Sequence, residues 1–173
     1  RNLRGIYQRE VRLSQNARRK IGIDGAFFEM SVTTGIARVW KTVFEHWVQS
    51  DNADSIVIFD RARTSPRIPG LKYVDLPSHD YRNLAQDRKI LQAACDEHGV
   101  DIFTSTYYSF PEKTPSLLVM YDMIPEAVGM NLNDLMWVEK HQAMQNAEAY
   151  FSISENTKND ICRFFPNLKE KIS

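Results

Sequence analysis

Cysteine and long apolar runs are both scarce in this sequence of 173 residues. The two cysteines, Cys95 and Cys162, are too few for a disulfide scaffold, so they favour a reducing compartment. No run of about 18 apolar residues occurs, so the sequence predicts no transmembrane span. The four histidines show no metal-ligand spacing, and we expect no metal site. Together these absences favour a cytoplasmic protein.

The sequence also lacks the glycine motifs of several large enzyme classes. It contains no Gly-x-Gly-x-x-Gly, no phosphate loop ending in Gly-Lys-Ser/Thr and no Gly-x-Ser-x-Gly. Dinucleotide dehydrogenases, P-loop enzymes and α/β-hydrolases are therefore disfavoured. An epimerase of sugar nucleotides is disfavoured for the same reason, because it should carry a dinucleotide motif.

Net charge is absent as well, since 22 basic residues balance 22 acidic ones. This balance argues against a nucleic-acid partner bound through bulk surface charge. The distribution is uneven, because residues 1–20 carry +6 and residues 21–173 carry −6. If the basic segment were helical, Leu3, Tyr7 and Val11 would form a thin apolar stripe, suited to a neighbouring protein or to peripheral contact with the inner face of a membrane. A solvated linker is the alternative.

The sequence does contain predicted strands and helices in the alternating order of a layered α/β domain. The composition is globular, with 43% hydrophobic and 25% charged residues. Apolar residues over 36–48 repeat at i, i+3, i+4 and i+7, which is typical of a helix with one buried face. Strands are predicted over 21–24, 55–60, 73–76, 100–104, 116–121 and 149–153, and helices over 36–48, 83–98, 133–147 and 155–165. This order predicts an α/β fold with a Rossmann-like, mostly parallel sheet and helices on both faces.

In such a sheet, ligands bind where the strands end. The turn at Thr34, Gly35 and Ile36 opens a helix, and the amides of a helix N-terminus suit a phosphate or diphosphate. Gly35 would let that anion approach the backbone closely. Arg38, one turn further, either faces solvent or reaches the cleft. An ordinary structural cap is the alternative interpretation of this turn.

Polar and aromatic residues follow three other predicted strands. Asp122 could orient or deprotonate a hydroxyl group, or it could cap the amides of its own loop. Tyr107 and Tyr108 suit stacking on sugar rings, although an amphipathic rim would use the same residues. Ser154 is predicted to cap the helix that follows it.

Three segments, taken in order, resemble one enzyme family. They are Ile23-Asp24-Gly25 through Thr34-Gly35-Ile36-Ala37-Arg38-Val39, then Tyr121-Asp122-Met123-Ile124-Pro125-Glu126, then Ser152 through Ile161. In register with the predicted strands, they are similar to the N-terminal domain of retaining group-1 (family 4 type) glycosyltransferases, which have the two-domain GT-B fold. The resemblance covers roughly residues 21–173, the domain that follows the basic lead-in of residues 1–20.

The resemblance implies transfer of a hexose from a nucleotide diphosphate sugar to a glycan, polysaccharide or lipid-linked glycan, with retention and without a metal or cofactor. The residues that it places at the donor diphosphate are Thr34, Gly35, Ile36 and Arg38. The catalytic residues that it implies are Asp122 and Tyr121, and the acceptor contacts are Tyr107, Tyr108 and Glu126. The family usually has histidine at the position of Tyr121, whose hydroxyl would replace part of the histidine's role.

Members of this family hold the donor nucleotide in a second domain with basic residues and two glutamates seven residues apart. That pattern is absent here. We therefore expect a C-terminal donor-binding domain outside this chain, and we expect the fragment alone to be inactive. A non-catalytic glycan-binding or scaffold domain is the alternative.

Overall fold

The computed structural model describes residues 19–50 and 52–172. The basic lead-in falls almost wholly outside these residues. The strands are β1 (Ile21–Asp24), β2 (Ile56–Arg61), β3 (Lys72–Leu76), β4 (Ile102–Ser105), β5 (Ser116–Met120) and β6 (Ala149–Ser152). The helices are α1 (Ala26–Met30), α2 (Gly35–Val48), α3 (Leu84–His98), α4 (Ile124–Ala127), α5 (Leu135–Asn146) and α6 (Glu155–Phe164).

All six strands are parallel and form one sheet in the order β3-β2-β1-β4-β5-β6. The predicted α/β class and Rossmann-like sheet are thus confirmed. The strand order reverses beside β1, so β2 and β3 extend the sheet one way and β4 to β6 the other way. Because parallel crossovers are right-handed, α2 lies on one face of the sheet, and α3 and α5 lie on the other.

The core fills the space between the sheet and these helices. β2 is buried at every position, as expected for a strand covered on both faces. From the helices, Phe44 in α2 and Leu91 in α3 are fully buried against the sheet. Burial of side chains of this size stabilises the fold by about 2 kcal/mol each.

The long helices begin and end where the sequence predicts. Asn83 caps α3 by accepting a hydrogen bond from the amide of Gln86, and Gly99 ends the helix with a left-handed φ of 61°. A side chain at Gly99 would be strained in this conformation, which explains the glycine. Ser154 caps α6 through the amide of Thr157, as predicted.

Two short helices, α1 and α4, were not predicted. With five and four residues, they are too short to show a helical repeat in the sequence. β4 also begins later than expected. At its start, the amides of Asp101 and Ile102 both bond the carbonyl of Lys20, the residue just before β1. Within the residues described, no helix has the length and apolar character needed to cross a membrane.

The turn after β1 gives a test of this packing. A Cβ at Gly25 would overlap the buried hydroxyl of Ser65 and approach the carbonyl of Phe59. Gly25→Ala should therefore lower the free energy of unfolding by about 1–3 kcal/mol, measured by urea denaturation.

The control is Ser65→Ala, which removes a buried hydroxyl that has no hydrogen-bond partner among the described residues. It should cost little by itself. In the double variant with Gly25→Ala it should restore part of the lost stability. Additive effects of the two substitutions would contradict the overlap.

Candidate functional site

A cleft of about 770 Å³ runs along α2 and past the ends of β5 and β6. Its lining residues are Gly35, Ile36, Val39, Trp40, Val43, Trp47, Val119, Tyr121, Asp122 and Ile153. It therefore joins the helix-opening turn to the residues that follow β5. The structure brings together Gly35 and Ile36, predicted for the diphosphate, with Tyr121 and Asp122, predicted for catalysis.

The first turn of α2 offers free backbone donors to this cleft. Ser31 accepts hydrogen bonds from the amides of Thr33 and Thr34, both at 3.3 Å. No acceptor among the described residues bonds the amides of Gly35 or Ile36, and Thr34 makes no side-chain cap bond. A Cβ at Gly35 would meet nothing within 4 Å. The turn therefore has both donors and open space for an anion.

The other two predicted diphosphate residues lie outside the cleft lining. Thr34 and Arg38 are both exposed to solvent. The guanidinium of Arg38 has no partner within the described part of the chain. Of the two interpretations that the sequence left open, solvent exposure is the one observed in this structure.

Asp122 caps its own loop, which is one of its two predicted interpretations. One carboxylate oxygen, Oδ1, accepts a hydrogen bond from the amide of Ile124 at 3.0 Å and so caps its own loop. The second oxygen has no hydrogen-bond partner among residues 19–50 and 52–172. One acceptor at the end of the cleft therefore stays available for a ligand hydroxyl.

The Tyr121 hydroxyl forms hydrogen bonds within the protein. It donates to the carbonyl of Thr106 at 2.9 Å and accepts a hydrogen bond from Trp40 Nε1 at 2.5 Å. Burial raises the pKa of Tyr121 above its usual value of 10, although the bond from Trp40 acts in the opposite direction. A proton role for Tyr121 would require breaking the bond to Thr106.

Two side chains fix the backbone at the end of β5. The Thr157 hydroxyl donates to the carbonyl of Tyr121 at 3.1 Å, and Lys140 Nζ donates to the carbonyl of Asp122, also at 3.1 Å. Thr157 comes from the third sequence motif, and Lys140 is completely buried on α5. These bonds hold Asp122 at the mouth of the cleft with little freedom of the main chain.

None of the residues predicted to contact the acceptor lines the cleft. Tyr107 and Tyr108 are buried, with ring centroids 4.0 Å apart, and burial raises the pKa of Tyr107 to about 12. Glu126 forms an ion pair with Lys140 and a hydrogen bond with His141, both at 2.8 Å. Burial alone would raise the pKa of Glu126, but hydrogen bonds from these two partners lower it overall.

Sequence reasoning missed a buried ionic network that starts at the ends of β1 and β2. Arg61, at the end of β2, makes paired bonds to Asp24 at 2.8 and 3.0 Å and to Asp87 at 2.8 and 2.8 Å. His79 continues the network, with Nδ1 at 3.0 Å from Asp87 and Nε2 at 2.9 Å from Glu139. The first pair was detectable, because β1 and β2 are neighbours and end at the same sheet edge. The positions of His79 and Glu139 carry no such signal.

These buried charges depend on one another. Burial alone would lower the pKa of His79, but its hydrogen bonds to Asp87 and Glu139 raise it to about 10. The pKa of Asp87 is lowered overall, because bonds from His79 and Arg61 outweigh its burial. His79 is therefore an imidazolium at neutral pH. In the described ranges, no group of three His, Cys, Asp or Glu side chains could hold a metal ion.

The imidazolium of His79 gives the stability of the protein a distinct pH dependence. The folded-state pKa of about 10 lies above the unfolded value of about 6.5, so the contribution is complete below pH 6.5 and is lost toward pH 10. We expect the stability advantage of the wild type over His79→Gln to shrink by about 2–4 kcal/mol across this range. Denaturant unfolding of both proteins from pH 6 to about pH 10.5 checks this. A constant difference would contradict a charged His79.

Comparison with known proteins adds no identification. No family model matches the chain, and no curated protein sequence matches it. The functional interpretation therefore depends on the motifs of the sequence and on the chemistry of the cleft.

Proposed function

We propose that this chain is the acceptor-side domain of a retaining GT-B glycosyltransferase. It would act with a second, donor-binding domain in the cytoplasm, in glycan or polysaccharide synthesis. The donor would be a nucleotide diphosphate sugar and the acceptor a hydroxyl of a glycan or lipid-linked glycan. One observation carries the proposal: the free amides of Gly35 and Ile36 share a cleft with the free carboxylate oxygen of Asp122.

The two ends of the cleft suit the two halves of a sugar transfer. The bond from the anomeric carbon to the diphosphate breaks, a bond to the acceptor oxygen forms, and the hydroxyl proton passes to the departing diphosphate. The transition state is oxocarbenium-like, with negative charge growing on the diphosphate. The amides of Gly35 and Ile36, at the positive end of the 14-residue α2, would stabilise that charge.

Asp122 would orient the acceptor in this scheme. Its free oxygen can accept the hydrogen bond of a sugar hydroxyl, and the bonds of Lys140 and Thr157 keep the loop in place. Tyr121 would serve as a positioning residue, because its hydroxyl links α2 to the loop after β4. The transfer needs no metal in this proposal, since amides here and basic residues in the second domain would neutralise the diphosphate.

A non-catalytic glycan-binding or scaffold domain is the second candidate. The observation that favours it is the small number of free polar groups at the cleft. The Tyr121 hydroxyl already donates one hydrogen bond and accepts another within the protein, and one oxygen of Asp122 caps its own loop. Such a domain would bind a glycan at Asp122 but would transfer no sugar.

Gly35→Ala tests the diphosphate half of the proposal. A methyl group there meets no protein atom within 4 Å, so the free energy of unfolding should stay within about 0.5 kcal/mol of the wild type. The methyl group would keep the diphosphate away from the amides. In the natural protein that contains this chain, assayed against a panel of nucleotide sugars, we expect kcat/KM to fall by about 100-fold.

The matched control for that variant is Lys41→Ala, on the exposed side of α2 and outside the cleft lining. It should leave kcat/KM unchanged. Equal activity of Gly35→Ala and the wild type would exclude an anion at this turn.

Asp122→Asn tests the acceptor half. The amide oxygen of asparagine can still accept from Ile124, so the loop cap is retained while the negative charge is lost. The free position becomes an amide NH₂, which cannot accept the hydrogen bond of the acceptor hydroxyl, so we expect sugar transfer by the natural protein to fall by about 100-fold, with little change in melting temperature. Asp160→Asn, on α6 and outside the cleft lining, is the matched control. Weaker glycan binding in a protein that transfers none of the panel sugars would instead support the non-catalytic candidate.

A further inference from the structure

We propose that the acceptor carries a linear aliphatic chain, which lies along α2 in the cleft while its sugar is held at Asp122. The inference rests on the proposed function and names the acceptor class within it. It starts from the shape of the cleft. The lining residues of α2 run from Gly35 to Trp47, and these thirteen residues of helix extend about 18 Å. The cleft is therefore long as well as apolar.

The polar groups of the cleft are concentrated at one end. Asp122 and the amides of Gly35 and Ile36 lie where the strands end, and the rest of the α2 wall consists of apolar and aromatic side chains. Trp40 and Tyr121 contribute polar atoms, but these bond to each other. A sugar needs hydrogen-bonding groups around its hydroxyls, so it fits at the Asp122 end and not along the wall.

Two apolar side chains of the cleft lining are exposed to solvent. Val39 on α2 is 55% exposed and Ile153 after β6 is 60% exposed. Both belong to the same lining, which Val43, Val119 and Trp47 extend. An aliphatic chain laid along this lining would remove their apolar surface from water.

The size of the cleft is in the range of sites for small molecules. Pockets for small ligands usually measure about 300–1,000 Å³, and this one measures about 770 Å³. A single extended hydrocarbon chain fits within that volume. The polar end and the apolar wall together match an amphiphile with its sugar at Asp122.

A series of alkyl glucosides tests the inference without a nucleotide sugar. Butyl, hexyl and octyl β-glucoside, each below its micelle concentration, would be titrated into the 173-residue chain and followed by calorimetry. The dissociation constant should tighten about threefold for each added methylene. Val39→Ser and Ile153→Ser should each weaken the binding of octyl glucoside by about fivefold and the binding of butyl glucoside by less.

Val128→Ser is the matched control, because Val128 is also exposed but lies outside the cleft lining. It should leave the whole series unchanged. Affinities that are independent of chain length, or equal losses in the control variant, would overturn the inference. So would a dimer of this chain that Val39→Ser dissociates in sedimentation, since a second copy would then cover the wall.

The two proposals fail separately. If the protein transfers sugar but its affinity for the alkyl glucosides does not depend on chain length, the glycosyltransferase proposal stands and the aliphatic acceptor is excluded. A chain-length response in a protein that transfers no sugar would keep the apolar site and support a glycolipid-binding domain without catalysis.

Discussion

Arg61 stabilises the edge of the sheet at which the strands end and near which the candidate site residues lie. Its buried guanidinium joins Asp24 at the end of β1 to Asp87 in α3, and His79 extends the chain of charges to Glu139 on α5. Removing one partner would leave a buried charge uncompensated, at a cost of about 3–5 kcal/mol. This network therefore connects the strand ends to α3 and α5 on one face of the sheet. Its charges pair with one another and not with solvent.

The opposite face of the sheet, which α2 covers, has unbonded amides and exposed apolar side chains. There α2 leaves its N-terminal amides unbonded, and the residues after β5 and β6 leave apolar side chains exposed. The polar groups that remain here are few, but they are held firmly: Trp40 bonds Tyr121, and Lys140 and Thr157 bond the adjoining carbonyls. A rigid frame with a few unpaired groups at one end of an apolar cleft is what a preorganised binding site requires.

The sequence was sufficient for the fold because its signals are periodic and local. The stripe of α2, the continuous apolar run of β2 and the cap at Ser154 are visible without coordinates. It was also sufficient to place the turn at Gly35 and Asp122 at the same sheet edge, since parallel strands end together. It could not show that Tyr107 and Tyr108 are buried or that Glu126 is paired with Lys140, because loop residues and ion pairs between distant segments have no period.

The bond between Trp40 and Tyr121 has a further consequence. Trp40 and Trp47, two of the three tryptophans in the chain, line the cleft, and the third, Trp137, is not among its lining residues. The indole emission of this protein therefore comes in large part from the wall of its own candidate site. Occupation of the cleft would change the polarity around these indoles and the hydrogen bond at Trp40 Nε1, so the protein carries an optical reporter that needs no label.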